Sequence, residues 1–207
     1  MTGVAGRLFL LCLLVTLAGC VSDSDQLAEG GIGGTGIQPA GVSVGSISGF
    51  GSVIVNGVAY DTSAPTITAN GEQVTEDSLQ VGFVVRVERD VTVAGARAAR
   101  VDYSAMVRGP VENLSVIDVD TQTATMSVLG QAVETNDLTA FRDVDLETLR
   151  DGDVVEISGV RGAEGEIVPS FFGSSRNRRE FRVIGRVSQF DDVTTTFAVS
   201  GLTVDFG

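Results

Sequence analysis

The sequence predicts an all-β protein: tandem small five-stranded barrels of OB type, after a signal peptide and a Gly-rich tether. Three observations carry this. From Val44 onward, apolar and polar residues alternate in short runs divided by Gly, Asn and Asp, the pattern of strands and turns. Three short blocks recur in the same order along the chain, so the unit is repeated. Each unit holds about five such runs with a short polar stretch before the fourth, the plan of a small Greek-key barrel. Closure of a barrel also hides sheet edges that an open meander leaves exposed.

Residues 1–19 read as a lipoprotein signal peptide. Residues 8–18 form an eleven-residue apolar stretch after Arg7. That is the length of a signal-peptide core and short of the roughly 20 residues a membrane-spanning helix needs. Leu17-Ala18-Gly19-Cys20 closes it and resembles the bacterial lipobox. The resemblance implies cleavage before Cys20 and acylation of its sulfur and new amino terminus. Two or three acyl chains suffice for stable anchoring. Cys12 lies in the discarded segment, so the mature chain has no second thiol for an internal disulfide. Val21, where Asp can retain lipoproteins at the inner membrane of enteric bacteria, favours the outer membrane and a periplasm-facing domain.

Residues 20–43 are the tether, rich in Ser, Asp and Gly. Its glycines do not follow a strand or open a helix, so they do not make a dinucleotide fingerprint. Residues 44–104 are repeat 1 and residues 105–173 repeat 2. Residues 174–183 are an Arg-rich connector, and residues 184–207 an incomplete repeat 3. Gly45, Gly57 and Gly82 recur as Gly109, Gly130 and Gly152, at offsets of 64, 73 and 70 residues. Gly185 and Gly201 begin a third copy, which stops at Gly207 before its third block. Gly45, Gly109 and Gly185 suggest a bulge or tight bend in the first strand. The stretches 73–79 and 143–149 are polar and short enough for one helical turn. Each leads into the most apolar strand, where Val84, Val85 and Val87 match Val154, Val155 and Ile157. Phe50, Phe83, Phe141, Phe190 and Phe197 are expected to fill the barrels.

The run 31–37, the run 49–57 and the segment 197–205 look like a bacterial family of repeated domains of unknown function, the one numbered 5666. The likeness covers residues 30–207. It implies envelope lipoproteins built of tandem small β domains, with no established activity.

Composition excludes much chemistry. All 14 basic residues are Arg; His, Lys and Trp are absent. A Ser-His-Asp triad, a Cys-His pair, a Ser-Lys dyad, a Schiff-base lysine and a His-ligated zinc or haem are impossible. After cleavage, 27 acids against 13 arginines leave a charge of −14. Such a surface repels nucleic acid and anionic lipid head groups. Contact with the membrane is therefore expected through lipid on Cys20, with no nucleic-acid partner.

Asp61-Thr62-Ser63 lacks the Gly of an aspartic-protease motif and reads as a strand-end turn. Asp118 and Asp120 alternate on one strand face and are the best candidate ligands for a hard cation such as calcium. The arginines of 176–186 with Phe171, Phe172 and Phe181 read as an intramolecular contact with a neighbouring acidic face. Phe50 and Tyr60 are the candidate ligand contacts of repeat 1, on the sheet face that OB barrels use. The sequence thus predicts a non-enzymatic, lipid-anchored envelope protein without cofactor, acting as a structural or binding module. An envelope protein, a polysaccharide or a like subunit would be its partner. The alternative is a calcium-dependent or saccharide-binding envelope module.

Overall fold

The computed structural model describes residues 41–175 and 177–207. Residues 1–40, which hold the expected signal peptide, Cys20 and most of the expected tether, lie outside the described residues. The described chain is all β, as the alternation requires.

The first repeat opens with β1 (Val42–Gly49), β2 (Val53–Val55) and β3 (Val58–Tyr60). It continues with β4 (Thr66–Ala69), β5 (Glu72–Gln73), β6 (Val84–Arg89) and β7 (Ala98–Tyr103). The sheet order is β3-β2-β1-β6-β7-β4-β5. A parallel bridge between Asp61 and Arg97 joins the end of β3 to the start of β7. Asp61 donates to the Ala96 carbonyl and accepts from Ala98 N–H, both at 2.9 Å. This contact closes β3, β2, β1, β6 and β7 into a five-stranded ring.

The second repeat has β8 (Val107–Asp118), β9 (Thr123–Val128), β10 (Gln131–Thr135) and β11 (Ala140–Arg142). It adds β12 (Val154–Arg161) and β13 (Ile167–Ser174). Here β10 pairs parallel with β13 at Val133 and Ile167, so β10, β9, β8, β12 and β13 close the same ring. Both rings follow the strand order of an OB barrel.

The inner faces are aliphatic. Ile47, Val53, Val55, Val85, Val87 and Val101 fill one core, and Val107, Val111, Val128, Val155, Ile157 and Ile167 the other. The polar stretch before the fourth strand is a one-turn 3-10 helix at Glu76–Ser78 in the first repeat. In the second repeat it is one turn closed by Leu149 N–H on the Asp145 carbonyl. Five strands per repeat undercounts the sheet. β4 and β11 run parallel to β7 and β13, and put Ile67 beside Val101 and Phe141 beside Phe172.

The recurring glycines act otherwise than as bends. Asn56, Leu129 and Ser200 open two-residue hairpin turns at φ 52, 49 and 48°, each followed by a positive-φ glycine. Their side chains fold down onto Gly45, Gly109 and Gly185. A Cβ on those glycines would lie 2.3 Å from Asn56 Oδ1, 2.7 Å from Leu129 Cγ and 2.0 Å from Ser200 Oγ. The glycine is where the turn's side chain rests on the first strand.

Beyond the second repeat, β14 (Arg182–Val183) pairs antiparallel with β8. Next come β15 (Val187–Asp191), β16 (Thr196–Val199) and β17 (Leu202–Asp205), a separate antiparallel sheet in that order. Of the phenylalanines expected inside, Phe83 is buried and Phe141 packs at a core edge. Phe50, in the turn after β1, and Phe190, on β15, are exposed. Phe50 stands past the end of its strand, and the sheet bearing Phe190 is not covered.

Candidate functional site

The two barrels meet where β6 and β7 face β12 and β13, and a cleft opens along that seam. The Phe83 ring stacks on Tyr103 at 3.6 Å and meets Phe171 of the second barrel edge-on at 4.5 Å. Aromatic pairs of this kind contribute about 0.5–1.5 kcal/mol beyond their buried area. Backbone groups cross the seam too. Val84 N–H donates to Ser158 Oγ at 2.8 Å, and Ser170 Oγ–H donates to the Gly82 carbonyl. Gly82 has φ +90°, and a Cβ there would strike the Ser170 carbonyl at 2.2 Å. Only glycine lets the barrels come this close.

Beneath the rings lies a charged network. β8 and β12 are antiparallel neighbours with Arg108 opposite Glu156. Arg108 Nε and NH2 donate to Glu156 Oε2 at 2.9 and 2.6 Å. Tyr103 Oη donates to Glu156 Oε1 at 2.7 Å. Glu180, from the connector, stands 3.4 Å from Arg108 NH1. Burial first, then the Glu156 charge, pushes the Tyr103 phenol well above its ordinary value, so it stays a neutral donor. Glu156 has hydrogen bonds on both oxygens, so it holds structure together rather than standing free as a base.

The cleft has a volume of about 360 Å³. Phe83 and Phe171 supply apolar wall, and Gln80, Arg142, Asp77 and Asn177 supply polar rim. Arg142 of the second barrel donates to Gln80 of the first, so the rim is shared between barrels. Chemically, the cleft presents guanidinium, amide and carboxylate groups around a small apolar wall.

The residues singled out from the sequence fall differently. Phe50 lines a second hollow of about 350 Å³ with Glu76, Asp77, Gln80 and Arg142, which adjoins the cleft through the last three. Tyr60 is not with it. Tyr60 is 1% exposed in the first core, opposite Val53, and among the described residues its hydroxyl has no hydrogen-bond partner. The two-residue turn at Asn56-Gly57 sets Tyr60 directly across the hairpin from Val53, so both face the core.

Asp118 ends β8 and Asp120 stands in the turn that follows it. Asp118 Oδ1 accepts Asp120 N–H at 2.9 Å and Thr121 N–H at 3.4 Å, an Asx turn. Asp191 does the same for Val193 and Thr194 at the matching turn. Among the described residues no three His, Cys, Asp or Glu side chains are placed to hold a metal. In the connector, Arg182 bonds Glu180 at 3.2 Å and the Asn70 carbonyl of the first barrel at 3.1 Å, an intramolecular contact.

Sequence reasoning missed the Tyr103, Arg108 and Glu156 network. Its signal was a charge directly after an inward valine in each of two strands, Val107-Arg108 and Val155-Glu156. Charged side chains are rarely fully buried unless they are paired.

A family model described as a domain of unknown function, DUF5666, matches twice, over residues 43–101 and 108–168. The two matches span more than half of the chain, which belongs to that family. No curated protein and no solved structure matches it.

Proposed function

We propose that this is a non-enzymatic, lipid-anchored protein of the cell envelope whose tandem barrels act as a structural or binding module. Lipid on Cys20 would hold it to the outer membrane, facing the periplasm, with an envelope protein or polysaccharide as partner. Two features support the reading. The Leu17-Ala18-Gly19-Cys20 sequence supplies the anchor. The observation that carries the binding role is the fused seam: Phe83, Phe171 and the Tyr103–Glu156–Arg108 network lock two barrels together and leave a ligand-sized cleft between them.

A saccharide segment suits that cleft best. Sugar hydroxyls match the hydrogen-bonding groups of Arg142, Gln80 and Asn177 at its rim. Intact mass of protein taken from its native envelope tests the anchor: acylated Cys20 at the amino terminus is the expected species. An uncut, unmodified amino terminus would remove it. Titration of the full chain with envelope glycan fragments tests the cleft. Shifts at Phe83 and Asn177 that Arg142→Ala weakens are the expected result, and shifts elsewhere alone would refute this seat.

A further inference from the structure

Two of the five asparagines in the chain, Asn56 and Asn70, precede a glycine. An asparagine side chain is open to attack by the backbone nitrogen of the next residue, and a glycine, with no Cβ, shields that nitrogen least. Both pairs form two-residue hairpin turns. Asn56 and Gly57 have φ 52 and 77°, and Asn70 and Gly71 have φ 56 and 94°. The two backbones match in φ, while their surroundings act on the two amides in opposite ways.

At Asn56 the fold ties down the leaving group. Its Nδ2 donates to the Val44 carbonyl at 3.0 Å and to Ser43 Oγ at 3.2 Å. Its turn joins β2 and β3, which carry the core residues Val53, Val55 and Tyr60. At Asn70 the atoms engaged are different. Ala105 N–H donates to Asn70 Oδ1 at 2.9 Å. Arg182 Nη2, shared with Glu180, donates to the Asn70 main-chain carbonyl at 3.1 Å. The first donor draws electrons from Cγ, the atom attacked, and stands where negative charge develops on oxygen. The second draws electrons from the peptide bond that holds the Gly71 nitrogen, which makes its N–H more acidic. Beyond the turn, β5 is only Glu72 and Gln73, both exposed, so this edge hairpin opens at low cost. Gly71 itself is exposed to water.

We propose that Asn70-Gly71 is a self-modification site of the folded chain. The Gly71 nitrogen gives its proton to water and bonds to Asn70 Cγ. The Cγ–Nδ2 bond breaks, the nitrogen takes up a proton and ammonia leaves, and a succinimide ring remains. Water then opens the ring. Opening at Cγ gives an aspartate at position 70, and opening at the main-chain carbonyl gives its β-linked isomer. One water enters and one ammonia departs, with no oxidant or reductant. The aspartate keeps an acceptor for Ala105 N–H and adds negative charge to a residue that Arg182 already holds. The β-linked isomer lengthens the backbone of the turn and breaks the pairing of Ala69 with Glu72. Either product changes the contact between the first barrel and the connector as the protein ages. The proposal stands apart from the lipid and from the cleft.

The test keeps the full chain in mildly alkaline buffer and follows both asparagines by peptide mass mapping. In the folded chain, conversion of amide to acid is expected at Asn70 at least about tenfold faster than at Asn56. In denaturant the two rates converge. Arg182→Ala slows conversion at Asn70 about tenfold, the worth of one hydrogen bond from a charged donor. Asn56 in the same sample stays unconverted and so reports that the barrel is folded. Should Arg182→Ala loosen the barrel, Asn56 converts with it, and Arg182→Gln, which keeps a neutral donor, serves instead with a slowing of about threefold. Equal rates at the two asparagines of the folded chain overturn the proposal. So does conversion at Asn70 that neither substitution slows while Asn56 stays intact.

Discussion

The closed barrels and the third sheet start from the same three strands and finish differently. In the first two repeats, a fourth and fifth strand lie across the opening meander and bury its inner face. In the third, the turn, the glycine beneath it and the Asx loop are all present, yet β15 is exposed along its whole length. Local chemistry therefore suffices to shape a three-stranded meander. Burial is a separate contribution, and it comes from residues about 40 positions further on, as Ile47 and Phe83 show.

The comparison is broken hardest at the seam. Glu156→Ala leaves Arg108 buried with only Glu180 nearby, and a cost of about 3–5 kcal/mol is expected in denaturant unfolding. Matched truncations sharpen the contrast between regions. Ile47→Ala should cost about 2–5 kcal/mol, whereas Val187→Ala at the equivalent position stays within about 0.5 kcal/mol. Equal costs would mean that the third sheet is covered.

The glycines give a graded version. Gly109→Ala drives a Cβ into Leu129 within a well-packed barrel and should cost about 1–3 kcal/mol. Gly185→Ala meets the Ser200 side chain and a Val199 methyl on an open sheet, where they can move aside. The difference appears as a large shift in Tm for the first variant and a small one for the second.

Alkali separates the regions as well. Tyr103 has a folded pKa raised above its unfolded value near 10. Its contribution is present below about pH 10 and is lost as pH climbs beyond that, because only the unfolded chain releases the proton. Stability measured against pH should fall above 10 in the wild type, and Tyr103→Phe should flatten that fall. The smallest effect lies in the third sheet. Backbone N–H groups of Thr194 and Val193 hold the Asp191 carboxyl below the ordinary carboxylate value. Its turn is favoured above the unfolded pKa near 3.9 and weakens as pH falls through the folded value. An NMR titration of Asp191 with a midpoint at or above 3.9 would contradict the Asx turn.

Much of this fold is legible in the sequence because it is set locally. Alternation fixes which valines face inward, and Asn56-Gly57 or Ser200-Gly201 fix the hairpins. The repeat then carries one barrel's plan to the next. The site was less legible. Tyr103, Arg108 and Glu156 belong to three strands, and only the register of β8 on β12 and the meeting of two barrels bring them together. Phe50 and Tyr60 are both aromatic residues near strand ends, but one follows the last paired residue and the other faces the core. Composition cannot make that distinction. Asp118 and Asp120 alternate as metal ligands would, yet the backbone of their own loop takes the Asp118 oxygen.

Amide hydrogen exchange across the whole chain tests the central contrast most directly. Ile47, Val85, Val111 and Val155 should exchange only on global unfolding, and Val187 through its open edge should exchange orders of magnitude faster. Protection of Val187 equal to that of Val111 would contradict two closed barrels followed by an uncovered one.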